Sequence, residues 1–342
     1  MIKKSIYTFM TGIRCYTYNH SKYIIDALEG FVMQKTSFPF IIMLVDDDST
    51  DTTQDIIKSY IEENFEEESA LPEINYESET EYAYIRYARH KSNRNCHIVA
   101  ILLKYNHYQI GHSRYKLDYL SPWRNLCKYE ALCEGDDYWT ENAKLEKQVG
   151  FLEENEEYGM VFAKARQYIQ STRTFSSKPF GRAFADISSL IEENTIPTPT
   201  ALYRMELINR YRNDIGRQRW LMGDYPMWIY FAIKSKIHFT DEYFAVYRIL
   251  DESASHSSNM SKRKAFIEST YEMKRFFTEN YNITLPFDLG QLELYILLSN
   301  AFEFKQKSDV KYYYKKLKSP NLKARIKYLL SLFFKQQQIN QS

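Results

Sequence analysis

Residues 40–51 read FIIMLVDDDSTD, and this stretch decides the fold. Its first six residues, Phe40–Val45, form a continuous apolar run, which is typical of a β-strand covered on both faces. Acidic residues follow at once, and Ser49, Thr50 and Asp51 offer capping groups for a helix. A buried strand that leads directly into a helix indicates a parallel sheet with helices on its faces.

The neighbouring segments repeat this order. Thr11–Tyr16 predicts a strand, and the apolar residues of 24–32 fall at helical spacing behind it. His97–Leu103 and Tyr129–Cys133 predict two further strands, and the apolar residues of 145–152 predict the next helix. We therefore expect an α/β fold with a mostly parallel sheet, flanked by helices and joined by right-handed crossovers.

Two segments depart from the alternation. Between the second and third strands, residues 62–97 form an insertion whose charged part, Glu62–Lys91, predicts either a solvated segment or a lid. Everything beyond Lys262 indicates helices. We expect a catalytic domain over 1–260 and a helical C-terminal region over 261–342.

The composition limits the class of protein. The chain has 342 residues, of which 44% are hydrophobic, enough to bury a sizeable core. Its four cysteines show no CxxC spacing, which favours free thiols in a reducing compartment. No stretch approaches about 18 uninterrupted apolar residues, and no signal peptide is evident. We expect a cytoplasmic enzyme without a nucleic-acid partner.

Acidic residues cluster after two of the predicted strands. Glu134, Asp136 and Asp137 stand within four residues, and such carboxylates repel one another unless a cation or a proton neutralises them. Carboxylate oxygens at the carboxyl end of a parallel sheet suit Mg²⁺ or Mn²⁺ and the phosphates of a substrate. Asp46 and Asp47 come at the corresponding end of another strand. One crevice is therefore predicted to hold both clusters.

The second acidic cluster has an alternative interpretation. A strand followed by a DxDxT motif is also the nucleophile motif of haloacid-dehalogenase-like phosphatases, with Asp46 and Asp48 as its two acids. In that family the nucleophile usually follows the first core strand, whereas here a complete strand and helix come before it. The phosphatase remains the enzymatic alternative. A non-catalytic protein that only binds nucleotide sugars is the other.

Five motifs in order resemble the family 2 glycosyltransferases of the GT-A fold, particularly bacterial surface-polysaccharide transferases. The resemblance covers roughly residues 8–258. The motifs are TYNHSKYIIDAL (17–28), VDDDSTD (45–51), EGDDYW (134–139) with KLEKQ (144–148), GDYPMW (223–228) and YR (247–248) with a histidine downstream. The resemblance implies a Rossmann-like GT-A sheet, a nucleotide-sugar donor, a divalent metal and inversion at the anomeric carbon.

The resemblance also implies roles for single residues on the donor side. The first nucleotide-contacting turn corresponds to Thr17, Tyr18 and Asn19, and the carboxylate that meets the base corresponds to Asp46, with Asp47 beside it. These five positions are expected to hold the nucleotide.

For the metal and the chemistry, Glu134 and Asp136 occupy the outer positions of the DxD motif. Asp136 is then the metal ligand and Asp137 a supporting acid. Asp224 falls where the family places its general base.

Further along the chain, Arg248 and His256 are expected near the diphosphate, with His256 as a second metal ligand. The sequence departs from the family pattern at Glu134, where aspartate is usual, and at Gly223, where glutamate is common.

The C-terminal tail has a pattern of its own. Residues 305–342 contain ten lysines and arginines against one acid, Asp309. A basic amphipathic helix can lie on an anionic membrane surface, which would suit a lipid-linked acceptor, or it can dock on the catalytic domain. The apolar face consists of Ile326, Leu329, Leu330 and Phe333.

Overall fold

The computed structural model describes residues 7–68, 71, 78–107, 114–216, 218–251 and 257–334. Strands and helices alternate through the first half of the chain, and helices dominate its end. The strands are β1 (Phe9–Thr17), β2 (Phe40–Asp46), β3 (Phe65–Glu67), β4 (Ala83–His90), β5 (Cys96–Leu103), β6 (Cys127–Leu132), β7 (Tyr138–Trp139), β8 (Tyr158–Ile169), β9 (Thr174–Phe175), β10 (Leu202–Arg204) and β11 (Lys236–Ile249). The helices are α1 (Ile24–Val32), α2 (Thr53–Asn64), α3 (Arg114–Arg124), α4 (Lys144–Glu154), α5 (Ile187–Glu192), α6 (Met205–Ile215), α7 (Tyr225–Lys234), α8 (Met260–Asn280), α9 (Leu289–Glu303), α10 (Lys307–Lys316) and α11 (Leu322–Ser331).

The strands form one large sheet in the order β3-β4-β5-β2-β1-β6-β10-β8-β11-β7, with β9 paired to β8. Its centre, β5-β2-β1-β6, is parallel throughout, and β8 and β11 are also parallel. The other described pairings are antiparallel. The predicted α/β class is confirmed, and the sheet is mixed outside its parallel centre.

The central strands of the sheet are buried on both faces, as is usual for parallel strands. Every residue of β2 and of β5 is buried, as the apolar run at residues 40–45 predicts for strands covered on both faces. Helix α1 supplies part of the cover through Ile24, Leu28 and Phe31, which are fully buried at helical spacing. The Phe31 ring meets the Trp139 ring edge to face at 5.0 Å between centroids.

The segment predicted as an insertion contributes to the sheet. Strand β4 pairs antiparallel with β5, and β3 pairs with β4, so both extend the sheet at one edge. Ala83, Ile85 and Tyr87 are buried on alternate positions of β4, which is the period of a half-buried strand. The interpretation as a solvated segment is therefore wrong for these strands, and the lid stays a prediction. Residues 72–77 lie outside the described part.

The chain divides into two compact units. The first comprises Met1–Phe184, Thr195–Gly216 and Phe231–Ile249, and the second comprises Ala185–Asn194, Arg217–Tyr230 and Leu250–Ser342. The second unit has an apolar core of its own between α9, α10 and α11. The expected division at 260 and 261 is not tested by these units and stays a prediction.

Within the described parts of the chain, none of the helices combines the length and the apolar character that crossing a bilayer requires.

Candidate functional site

The parallel centre of the sheet brings three strand ends together within the first unit. Thr17, the last residue of β1, lies opposite Asp46, the last residue of β2. On the other side of β1, Arg14 lies opposite Leu132, the last residue of β6 and two residues before Glu134. The backbone N–H of Gly135 then donates to the carbonyl of Tyr16 at 2.9 Å. The two acidic clusters and the turn after β1 therefore share one edge, as predicted from the strand order.

The turn after β1 is bonded to the loop after β2. Asn19 has a left-handed backbone (φ 56°), which asparagine tolerates better than most residues. Its side-chain carbonyl accepts the backbone N–H of Thr50 at 2.8 Å, and its own N–H donates to the Ser49 hydroxyl at 2.8 Å. Thr17 is buried and Tyr18 half-buried beside it. This arrangement fixes both loops at the mouth of the crevice.

Asp46 is a buried acid that organises its own loop. It is fully buried, and one carboxylate oxygen accepts the backbone N–H of Ser49 at 2.9 Å and the side-chain amide of Gln54 at 2.7 Å. The other oxygen accepts the Ser49 hydroxyl at 2.5 Å. Burial raises the pKa of Asp46, and the hydrogen bonds from Ser49 and Gln54 oppose that shift. Because both oxygens are engaged, the geometry does not favour Asp46 as the attacking group of a phosphatase.

Asp47 is buried as well and reaches the loop that follows β5. Its Oδ1 accepts the backbone N–H of His107 at 2.9 Å. The ends of β2 and β5 are thereby held together. The acid that the resemblance places at the nucleobase, Asp46, thus lies next to a residue that is bonded to the loop after β5.

Gly135 explains why the third loop can approach the first. A Cβ atom at this position would lie 2.7 Å from Oγ1 and 2.8 Å from Cβ of Thr17, closer than real Cβ contacts allow. Next to it, the Glu134 carboxylate accepts the backbone N–H of Tyr16 at 3.1 Å. Glu134 therefore binds this loop to β1. The close approach of the loop to Thr17 explains the glycine after Glu134.

The carboxylate of Asp136 is partly exposed, unlike that of the buried Asp137. The Asp136 side chain is 25% exposed, and an oxygen lies 3.9 Å from Nε2 of His20. Burial lowers the pKa of His20, while the nearby Asp136 opposes that shift. Nδ1 of His20 is buried without a hydrogen-bond partner among the described residues. Asp136 therefore lies partly exposed at this edge of the sheet, beside an imidazole whose pKa is lowered by burial.

Asp137 and Arg248 connect the cluster to β11. Asp137 is buried, and its carboxylate accepts the backbone N–H of Arg248 at 2.7 Å. Burial raises the pKa of Asp137 well above its usual range, and the neighbouring Asp136 raises it further. Asp137 thus joins the loop to β11, and its role as a supporting acid stays a prediction.

The Arg248 side chain is held by several groups at once. Its Nη1 donates to the backbone carbonyl of Asp136 at 2.6 Å, and its Nη2 pairs with the carboxylate of Asp26. The guanidinium lies 4.6 Å from the ring centroid of Tyr138 and 5.0 Å from that of Tyr23. Arg248 thereby fixes the backbone of Asp136 from the side of α1 and β11.

The carboxylate oxygens at this edge suit a hard divalent cation that takes its remaining ligands from a bound substrate. Among the residues that the structure describes, no three His, Cys, Asp or Glu side chains form a group that could hold a metal by themselves. Mg²⁺ and Mn²⁺ commonly bind through one or two carboxylates and take their remaining ligands from water and phosphates. Asp136 could supply one such carboxylate, with Glu134 near it in sequence.

Two further predicted site residues, Asp224 and His256, are not part of the first unit as the structure describes it. Asp224 belongs to the second unit, where it directly precedes α7 and its Oδ1 accepts the backbone N–H of Tyr225 at 2.7 Å. The Tyr225 hydroxyl donates to the carbonyls of Leu190 and Ile191 at 2.7 and 3.0 Å. The start of α7 is thus anchored to the end of α5. His256, predicted as a metal ligand, lies outside the described residues.

Sequence reasoning missed His20, Tyr23 and Asp26. His20 follows the quoted turn directly, and Asp26 stands in the first turn of α1, so both belonged to a motif already singled out. Their contacts with Asp136 and Arg248 span more than a hundred residues, and no local pattern encodes such pairs.

Comparison with known proteins shows similarity to a glycosyltransferase family over part of the chain. Residues 16–94 match the model of glycosyl transferase family 2. Uncharacterized proteins of Mycobacterium tuberculosis and Mycobacterium bovis are 30% identical over 251 residues, which is 72% of this chain. The chain spans 61% of the length of these relatives.

Solved structures show the same fold. S. aureus TarS 1–349 in complex with UDP-GlcNAc aligns with a TM-score of 0.50 and 15% identity, over 94% of this chain and 79% of that one. The mannosyltransferase PcManGT from Pyrobaculum calidifontis, in complex with GDP-Man and Mn²⁺, aligns with a TM-score of 0.51 and 14% identity, over 97% and 83%. The likeness confirms the GT-A fold.

Proposed function

We propose that this chain, whose residues 16–94 match glycosyl transferase family 2, is an enzyme of that family and transfers a sugar from a nucleotide-sugar donor to an acceptor hydroxyl. The observation that carries the proposal is the shared edge of β1, β2 and β6. There hydrogen bonds join the turn at Asn19 to the loop after Asp46, and the Gly135 N–H joins the loop that carries Asp136 to β1. Such an edge is where open α/β sheets bind their ligands.

The donor is proposed to be a UDP-sugar, held by the walls of this crevice. Thr17, Tyr18 and Asn19 would contact the nucleotide from the turn after β1. Asp46 and Asp47 would do so from the loop after β2, where Asp46 acts mainly by fixing the loop that meets the base. The walls are already hydrogen-bonded in the free protein, which lowers the ordering cost of binding.

A Mn²⁺ or Mg²⁺ ion is proposed as cofactor, held by Asp136 together with the donor diphosphate, with His256 as a second ligand. When bound, such an ion stabilises the negative charge that builds on the leaving phosphate. Glu134 and Asp137 fix the loop that presents Asp136, and Arg248 fixes its backbone from the other side. Because Arg248 is cationic, it also favours the diphosphate beside the acids.

Asp224 is proposed as the general base that takes the proton of the acceptor hydroxyl. One carboxylate base without a second carboxylate nucleophile fits a single displacement, and hence inversion at the anomeric carbon. The contacts of Tyr225 with the end of α5 would hold Asp224 in place at the start of α7. This role is independent of donor binding, so the two can be separated by mutation.

The acceptor is proposed to be a glycan or a lipid-linked saccharide in surface-polysaccharide assembly, used at the cytoplasmic side of the membrane. The order of the five motifs supports this proposal. Besides the phosphatase, a non-catalytic protein that only binds nucleotide sugars is an alternative. The retained acids Asp136 and Asp224 argue against it.

The test is the release of nucleoside diphosphate from a panel of UDP-, GDP- and TDP-sugars in the presence of Mn²⁺. Transferases hydrolyse their donors slowly without acceptor, so one donor should give release well above background. Removing the ion with a chelator should abolish the signal, and restoring Mn²⁺ should recover it. Release from no donor, together with hydrolysis of a generic phosphate ester, would instead support the phosphatase.

A further inference from the structure

Helix α11 exposes its apolar side. Ala324 and Ser331 are buried, and the Tyr328 ring stacks on that of Tyr314 at 4.2 Å between centroids, so this side packs on the second unit. The opposite side carries large apolar residues open to solvent. Their exposed fractions are 72% for Leu322, 46% for Ile326, 57% for Leu329, 51% for Leu330 and 84% for Phe333.

These five side chains form one stripe. They follow one another at spacings of three, four and one residues, which places them on the same side of a helix that continues into the turn at 332–333. Lys323 and Arg325 are exposed and project on opposite flanks of the stripe, because each lies about a quarter turn from it. Such a stripe with cationic flanks is the pattern of a helix lying in a membrane interface.

The residues around α11 in the C-terminal segment add positive charge. Residues 305–342 contain ten lysines and arginines against one acid. In α10, Lys311 and Lys315 are exposed. A surface with this charge attracts anionic headgroups by about 1 kcal/mol for each basic residue close to the membrane.

We propose that the exposed face of α11 docks on an anionic lipid bilayer, with the stripe in the headgroup boundary and Lys323 and Arg325 at the phosphates. Exposed apolar stripes of this kind mark a binding surface on a monomeric protein. A second copy of the chain is a poorer occupant, since a two-fold contact would bring the same cations face to face. The inference does not depend on the transfer reaction.

The test is sedimentation of the full chain with vesicles of phosphatidylglycerol and phosphatidylcholine, compared with vesicles of phosphatidylcholine alone. The chain should bind the anionic vesicles, and the binding should weaken with added salt. The double variant Leu329→Ser/Phe333→Ser should lower the partition constant at least about tenfold. Lys323→Ser/Arg325→Ser should weaken binding to anionic vesicles and leave the weak binding to neutral ones unchanged.

The matched control is Phe175→Ser/Leu221→Ser, which removes two apolar side chains that are 51% and 54% exposed elsewhere in the chain. It should bind vesicles as the wild type does. Equal binding to lipid vesicles by the α11 variant and the wild type would overturn the proposal. A dimer in solution that is lost in the α11 variant, with no lipid binding by either protein, would also overturn it. Release of nucleoside diphosphate in solution should be the same for all these variants, so the outcome is separate from that of the transferase test.

Discussion

Gly135 lets the Glu134–Asp137 loop lie against β1, because a Cβ atom there would come within 2.8 Å of the Thr17 Cβ. The Thr17 Cβ is attached to a buried backbone and cannot move away cheaply. We expect Gly135→Ala to lower the free energy of unfolding by about 1–3 kcal/mol and to weaken donor binding, because the loop must shift. Denaturant unfolding and donor titration measure the two effects.

Gly150 is the matched control, since a Cβ atom there meets nothing within 4 Å among the described residues. It lies inside α4, where alanine is the better helix former, so Gly150→Ala should stabilise the chain by up to about 1 kcal/mol. A Gly135→Ala protein as stable as the wild type would show that the loop does not need this close approach.

Arg248 joins three parts of the site through one planar group. Its guanidinium bonds the Asp136 carbonyl and the Asp26 carboxylate and lies over two tyrosine rings. We expect Arg248→Lys to lower the free energy of unfolding by about 1–3 kcal/mol, because one ammonium group cannot make these contacts together. Arg166→Lys, at an exposed arginine of the same sheet, should change it by less than about 0.5 kcal/mol. Equal stability of both variants would contradict this role.

For single residues, the sequence shows which types of side chain are present more readily than it shows which residues those side chains contact. The crowding of Glu134, Asp136 and Asp137 after a strand was visible, because three charges within four residues need a counter-charge. The contact between Arg248 and Asp26 was not, since it depends on how α1 packs beside β11. Asp46 was predicted at the base, and its hydrogen bonds to Ser49 and Gln54 became visible only with the fold.

Among the elements, β4 and β5 hold a buried histidine. Nδ1 of His97 lies 2.9 Å from the Tyr87 hydroxyl and 3.0 Å from a carboxylate oxygen of Glu68, which follows β3. Burial lowers the pKa of His97 to about 4, although Glu68 opposes the shift. The imidazole is therefore neutral in the folded chain at neutral pH.

This histidine should make the fold sensitive to acid. The unfolded chain protonates His97 near pH 6.5 and the folded chain only near pH 4, so between these values the unfolded state binds more protons. Stability should therefore fall as the pH is lowered through this window, by at most about 1.4 kcal/mol per pH unit from this residue. Denaturant unfolding of the wild type and of His97→Gln from pH 7 to pH 4 measures it. A pH dependence that is unchanged in the variant would exclude His97 as a cause.

The strands that are buried on both faces were predictable, because a short continuous apolar run such as Phe40–Val45 is typical of them. Strands β3 and β4 were not, since their charged exposed positions obscure the period of two. The antiparallel pairings of β10 and β11 depend on tertiary contacts that follow long connections. Local sequence patterns therefore predict the parallel central strands of the sheet but not the strands at its edges.

At the level of the whole molecule, the two residues with the main proposed roles belong to different units. Asp136 belongs to the first unit and Asp224 to the second. Family resemblance links the two residues, and no sequence pattern near either one predicts the distance between them. The roles proposed for them are nevertheless separable, because the first would concern the donor and the second would concern the acceptor.

The most direct test of the central claim is calorimetric titration of the preferred donor in Mn²⁺, with turnover measured in parallel, for Asp136→Asn, Asp224→Asn and the control Asp55→Asn. Asp55 lies in α2, and its side chain is 79% exposed. We predict that Asp136→Asn weakens donor binding at least about tenfold, or 1.4 kcal/mol. Asp224→Asn should bind the donor normally and lose turnover, and Asp55→Asn should resemble the wild type. Equal loss of donor binding in the first two variants, or normal binding by Asp136→Asn, would contradict the account.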